Sequence, residues 1–224
     1  MNEALRTERI FDLSQTIAAP IFEGCTYPWE ALPKIKAFIL ELGPTLPKDE
    51  YTQHGENVWI ANDAEVAPSA SITGPCIIDH GAQVRHCAFI RGAVIIGAGA
   101  VAGNSSEYKN CILMNKAQTP HYNYIGDSIL GVGAHLGAAA LTSNLKSDKT
   151  NICVRTEEGL IETGLRKFGA MVGDHVEVGC GSVLNPGTVI GRNTRVYPLT
   201  SVRGFVPENG ILKEAKTFVY QENK

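Results

Sequence analysis

The chain has 224 residues, 19% of them charged, a formal net charge of −3 and no basic cluster that would track a phosphate backbone or an anionic bilayer, so neither nucleic acid nor a membrane is expected as a partner. Its 23 glycines favour tight turns over solvated helices, and no apolar run reaches the roughly 20 residues needed to span a bilayer. The first residues lack the apolar core of a signal peptide, and the six cysteines are scattered without a C-x-x-C pair, so reduced thiols and a cytoplasmic location are expected.

Residues 1–55 read as a helical cap segment. Within them "PWEALPKIKAFILELG" places Ile35, Phe38, Ile39 and Leu42 at helical spacing, with Pro33 suited to a first turn and Gly43 to a stop. The spacing predicts a short amphipathic helix. Its expected place is across the open end of the repeat region that begins near residue 56, where a bare parallel edge would invite aggregation.

From Ile60 the apolar positions recur every sixth residue: Ile60, Val66, Ile72, Ile78, Val84, Ile90 and Ile96. Four places after each sits a small or slim residue, such as Ala64, Ala70, Cys76 or Ala82. A second run, Val172 to Val202, repeats the pattern, with Val176, Ser182, Thr188, Thr194 and Thr200 in the companion places. Neither a helix nor a hairpin has this period. A six-residue unit fits a short strand plus a corner, and three units make one triangular turn of about 18 residues that stacks by parallel pairing. The predicted fold is all-β: a left-handed parallel β-helix of hexapeptide repeats over 56–212, its handedness taken from the known association of such hexads.

Two stretches break the rhythm. After Ile96 the phase slips through "GNSSEYKNCILMNKAQTPHYNYIGDSILG". The second break, 143–171, reads as an inserted arm with two short strands around Glu157-Glu158-Gly159, leaving the prism and reaching a neighbouring subunit to cover its sugar. The tail, 213–224, either covers the far end or stays mobile.

Chemistry concentrates in the first break. Arg91 and Lys109 are 18 residues apart, so coils of that length stack them at one edge, where two cations suit a phosphate; solvated surface charges are the plainer reading. Tyr124 and His135 fall on the coils beyond, and His121 follows a proline as either a turn residue or a base. His86, beside Cys87, reads as structural, and His54, His80 and His175 sit in no motif. No histidine spacing here is that of a metal site.

The segments "FIRG", "GNSSEYKN", "PHYNYIGDSILGVGAHLGAAALTSN" and "VGDHVEVGCGSVLNPGTVIG" resemble the acetyltransferase domain of the bifunctional glucosamine-1-phosphate acetyltransferase/N-acetylglucosamine-1-phosphate uridylyltransferase family. They are closer still to archaeal-type sugar-1-phosphate nucleotidylyltransferase-related proteins and their stand-alone relatives, over roughly residues 56 to 210. The resemblance implies a homotrimer that moves an acetyl group from acetyl-CoA to an amino sugar phosphate such as glucosamine 1-phosphate. His121 would be the general base, Arg91, Lys109, Tyr124, His135, Asn144 and Lys149 would bind the sugar phosphate, and Ala138, Cys180 and Pro198 would line the coenzyme A groove.

The chain departs from the family pattern at several points. His135 stands where asparagine is usual, Cys180 where serine is, and Pro198 where alanine is. A late arginine has only Lys213 and Lys216 nearby, and no nucleotidylyltransferase segment is expected. A different acceptor, such as galactosamine 1-phosphate or a nucleotide-linked amino sugar, and a non-catalytic trimeric binding protein are the competing readings.

Overall fold

The computed structural model describes residues 2–214 and 217–220, and of 214 and 217–220 the backbone alone. A nine-stranded sheet forms one wall of a three-sided solenoid. A fourteen-stranded sheet forms the other two, because the strands Glu107–Leu113 and Tyr124–Leu130 run on from one wall into the next. Pairing between successive coils is parallel, as the hexads demand: Val58 lies against Cys76 and Cys76 against Val94, each 18 residues on. The hexad residues from Val66 to Val202 face one another along the interior with their small companions, and Ile78, Val84, Ile90, Ile96, Leu184 and Ile190 are at most 1% exposed.

The slip after Ile96 has a simple geometric origin. The inward positions run Ala102, Tyr108, Leu113, Thr119, Ile125, Leu130, so two steps, Tyr108 to Leu113 and Ile125 to Leu130, take five residues instead of six. Those coils shorten to 17, with Lys109 against Gly126 and Gln118 against His135. Tyr108 fills the interior where a β-branched residue would stand, and its hydroxyl is satisfied there by Thr119 Oγ1 at 2.6 Å and by the Gly103 N–H at 2.8 Å. The two shortened steps both fall at the corner between the second and third walls, where Asn110 and Asp127 adopt φ of 48° and 46°.

The N-terminal segment does not close the open end; it lies along the outside of the third wall. That wall is apolar on both faces: the middle residues Ile77, Ile95, Ile112, Ile129, Met171 and Val189 point outward, yet none is exposed. Leu5, Ile10, Phe11, Trp29, Ile35 and Ile39 cover them. The free energy gained by hiding a two-faced wall, roughly 1.5–3 kcal/mol per large side chain, outweighs what capping one coil end offers. The helix forms at Ile35–Leu42 as its spacing predicts, but Pro33 falls in the preceding 3-10 turn. Gly43 is no left-handed stop, since its φ is −52°; it is glycine because a Cβ there would collide with the Trp59 ring. Farther up, Asp174 pins the segment by accepting from the Asp12 N–H at 2.6 Å while its own N–H reaches Ile10 O.

The inserted arm also hugs the solenoid. Its strands Cys153–Thr156 and Gly159–Glu162 form the expected antiparallel hairpin, but it does not leave the prism. Ile152 and Val154 are buried against the third wall, and at Gly204 a Cβ would lie 2.5 Å from Arg155 O. Two apolar residues at alternating positions gave the hairpin one face to bury, and the nearest uncovered part of the third wall took it. At the far end Thr217–Tyr220 pairs antiparallel with Gly210–Glu214, covering that sheet edge; Lys216 and the last four residues lie outside the described residues.

The solenoid starts from a different device. Tyr51–Gln53 pairs antiparallel with Val58–Ala61, and the Tyr51 hydroxyl bonds Asp79. Next to it His80 places Nδ1 2.9 Å from Asp63 and Nε2 3.2 Å from Glu50. Slight burial opposes the imidazolium, but the bonds to Asp63 and Glu50 prevail and the His80 pKa is raised above its usual 6.5. This contribution to stability is therefore complete below the unfolded value and is lost as pH rises through the raised folded one. A His80→Gln chain is expected to melt below the wild type in acid and to converge on it in mild alkali. A difference in melting temperature that does not change with pH would contradict the pairing.

Candidate active site

The outer face of the second wall carries the cations. Ile90 pairs with Tyr108, and the Arg91 N–H donates to Tyr108 O, so Arg91 stands directly under Lys109 as the 18-residue spacing predicts. Neither cation is bare. Arg91 Nη1 lies 2.6 Å from Glu107, and Lys109 Nζ lies 3.1 Å from Asp127. The first pair is solvent-exposed, contributes little to folding, and can exchange for an incoming anion. The second is anchored, because Asp127 is only 4% exposed.

Asp127 is the hub of this wall. Besides Lys109 it accepts from Asn110 Nδ2 at 2.9 Å and from Asn144 Nδ2 at 2.5 Å, and Asn144 also donates to the Tyr124 hydroxyl at 3.2 Å. The Tyr124 ring lies across Gly126, where a Cβ would collide with its hydroxyl. Burial, with Asp127 and Glu107 adding, raises the Tyr124 phenol above its usual value, so it stays protonated near neutrality and can donate to a ligand.

His121 ends a strand of the first wall at the corner that leads to Tyr124. Its ring is exposed. Its backbone is held firmly: the N–H donates to Asn123 Oδ1 at 3.0 Å, and the buried Asn123 side chain donates to Gly137 O and Ala140 O. The same corner recurs coil by coil. Ala139 donates to His121 O, Gly181 to Ala138 O, and Leu199 to Cys180 O. His121, Ala138, Cys180 and Pro198 therefore form one column along one edge. The coils stack closely along it, since a Cβ on Gly137 would lie 2.9 Å from Cys180 Sγ. Between this edge and the Lys109 row lies the outer face of Tyr124–Gly126, about 7 Å of strand, comparable to one hexose ring.

The structure thus joins Arg91, Lys109, Tyr124 and Asn144 on one wall and sets His121 with Ala138, Cys180 and Pro198 at its edge. It does not bring in the other two candidates. His135 is on the first wall, with Nδ1 2.8 Å from Glu177, and Lys149 is an exposed loop residue whose N–H bonds Lys146 O. Reading residue types missed Asp127, Asn110, Glu107 and Asn123. The five-residue steps were the available signal, because they mark the corner at which Asn110 and Asp127 turn. Among the described residues no group of three or more His, Cys, Asp or Glu is placed to hold a metal ion.

A stack of hexad coils with a polar wall and an exposed imidazole at its edge defines a hexapeptide-repeat β-helix protein. Residues 72–167 match the family model described as the GMPPB C-terminal domain. The chain is 38% identical over 164 residues to the bifunctional protein GlmU of Methanococcus aeolicus, covering 65% of this chain and 40% of that one. It is 33% identical over 141 residues to a bifunctional sugar-1-phosphate nucleotidylyltransferase/acetyltransferase of Sulfurisphaera tokodaii, covering 63% and 35%. A putative acetyltransferase, YaiX, of Escherichia coli is 33% identical over 67% of this chain and 65% of its own. Among solved structures, PerB from Caulobacter crescentus, in complex with CoA and GDP-perosamine, aligns with 19% identity over 79% of this chain and 61% of that one at a TM-score of 0.37. The chain spans about two fifths of the length of the GlmU protein it matches. Over its solenoid it resembles the acetyltransferase region of these bifunctional proteins, as the sequence motifs imply.

Proposed function

We propose that the chain is an acetyl-CoA-dependent N-acetyltransferase acting on an amino sugar that carries a phosphoryl group, glucosamine 1-phosphate being the simplest such acceptor. One observation carries the reading: an exposed histidine shares its edge with the Ala138–Cys180–Pro198 column, at the corner from which Tyr124–Gly126 leads to stacked Arg91 and Lys109. On this reading Arg91 and Lys109 hold the phosphate, and Tyr124 and Asn144 orient the ring. The His121 imidazole takes a proton from the ammonium, whose nitrogen then attacks the thioester carbonyl. The tetrahedral intermediate loses the surplus proton of its nitrogen to solvent and collapses as the C–S bond breaks, and His121 returns its proton to the departing thiolate. The Gly137 N–H is committed to Val178 O, so the oxyanion donor in this region is the Ala138 N–H, for which the described residues supply no acceptor.

The pantetheine arm would lie along the Ala138–Cys180–Pro198 edge. The same edge exposes large apolar groups, Tyr122 at 64% and Leu199 at 84%, which suits a second copy of the chain closing the groove. We read the assembly as a homotrimer with three shared sites, working in the cytoplasm on the route to an N-acetylated nucleotide sugar such as UDP-N-acetylglucosamine. Light scattering on the eluted protein is expected to give three times the 24.1 kDa chain, and a monomer would contradict the shared site. The assay that tests the reading measures CoA release from acetyl-CoA with phosphorylated amino sugars, for wild type and His121→Ala. CoA release by the wild type that depends on the acceptor, together with its loss in the variant, is expected. A wild type that neither binds acetyl-CoA nor releases CoA would leave a non-catalytic binding protein.

A further inference from the structure

We propose that the acceptor is an amino sugar linked to a nucleoside diphosphate, and that its nucleoside occupies a cleft at the base of the corner between the second and third walls. The proposal rests on the transfer reading for the placement of the sugar, but the cleft is argued from its own geometry. It is a solvent-open cleft of about 510 Å³, within the range of small-molecule sites, and its lining includes Lys36, His54, Glu56, Thr73 and Gly74. None of these residues took part in the site described above.

Register connects the cleft to the cations. Ile72 pairs with Ile90 and the Thr73 N–H donates to Ile90 O, so Thr73 stands directly below Arg91 as Arg91 stands below Lys109. The corner itself is tightly stacked, since a Cβ on Gly92 would lie 2.6 Å from Gly74 O. A single row, Thr73–Arg91–Lys109–Gly126, therefore runs from the cleft to the Tyr124 floor. At roughly 4.8 Å per coil, Thr73 and Lys109 are about 10 Å apart, the reach of a diphosphate and a ribose. A sugar monophosphate would use the upper end of this row and leave the cleft unfilled.

The chemistry along the row suits a nucleotide. Arg91 and Lys109 each share their charge with a carboxylate, whereas Lys36 has no ion pair among the described residues and stands free to meet a second phosphoryl group. Glu56 is an acceptor for ribose hydroxyls or a base amine. On the second wall Phe89 is 42% exposed, and the Arg91 guanidinium sits 5.9 Å from its ring centroid. Phe89 lies outside the cleft, so its ring serves to hold the Arg91 guanidinium over the row rather than to take the nucleoside.

Calorimetric titration of the whole chain without acetyl-CoA tests this, using UDP, GDP, ADP and dTDP against inorganic pyrophosphate. At least one nucleoside diphosphate is expected to bind tenfold or more tighter than pyrophosphate, and Lys36→Ala to weaken it about tenfold. The exposed Lys36 is outside the transfer machinery, so turnover of glucosamine 1-phosphate is expected to be unchanged in that variant. If none of the four binds tighter than pyrophosphate, the cleft is not a nucleoside site, even where glucosamine 1-phosphate is acetylated. Tight, Lys36-dependent binding in a chain that acetylates no amino sugar would keep the nucleoside site and remove the transfer reading instead.

Discussion

Replacing His121 by alanine is expected to lower kcat by about 10²–10⁴, the usual contribution of a positioned general base, while the KM for the acceptor and the affinity for acetyl-CoA stay near wild type. The separation follows from how the corner is built. Everything that fixes the corner uses the His121 backbone: its N–H bonds Asn123, and its carbonyl receives Ala139. The ring is exposed and carries no packing, so its removal is expected to cost within about 0.5 kcal/mol of stability, as for an ordinary surface substitution. The Ala138–Cys180–Pro198 column and the Arg91–Lys109 row are set by backbone pairing and remain in place. Because the amine must lose a proton before it attacks, the variant should also recover part of its rate as pH rises and the free amine becomes abundant. A variant with unaltered turnover would leave His121 a turn residue.

The Asp127 hub predicts the largest change in stability. An Asp127→Ala chain leaves Lys109 and two amide groups converging on an empty, nearly dry position. Orphaning one member of a buried ion pair costs about 3–5 kcal/mol; the Lys109 side chain is 28% exposed, so water relieves part of this, and a loss of about 3 kcal/mol is expected. Equilibrium urea unfolding measures it. Asp127→Asn keeps the volume but presents an amide donor toward either Asn110 or Asn144, so it should fall between the two. In that variant the Lys109 ammonium loses its carboxylate and becomes the stronger phosphate ligand, so acceptor KM should drop while kcat falls through the misplaced Asn144. An Asp127→Ala chain as stable as wild type would show that the three donors find water instead.

The hexads specified the solenoid because burial is periodic: a β-branched residue every sixth place faces inward whatever surrounds it, and the small companion lets the chain turn. The same regularity made the stacking of Arg91 under Lys109 readable, since register in a parallel coil is simple counting. Counting failed where the coil shortens. The five-residue steps after Tyr108 and Ile125 looked like a broken repeat, yet they are tighter corners, and the tightness is what brings Asp127 to Lys109 and Asn110 to Asp127.

Periodicity, then, determined the architecture and the run of the interior, because each depends on local spacing. Tertiary structure alone decided what covers the third wall and what surrounds the cations. The outward row from Ile77 to Val189 demanded an apolar cover, but two candidate segments, the N-terminal region and the arm, could each have met that demand, and only the packed molecule shows that they share it. Likewise a lysine in sequence carries no sign of its carboxylate: Asp127 reaches Lys109 from 18 residues away, across a coil whose length only the folded chain sets.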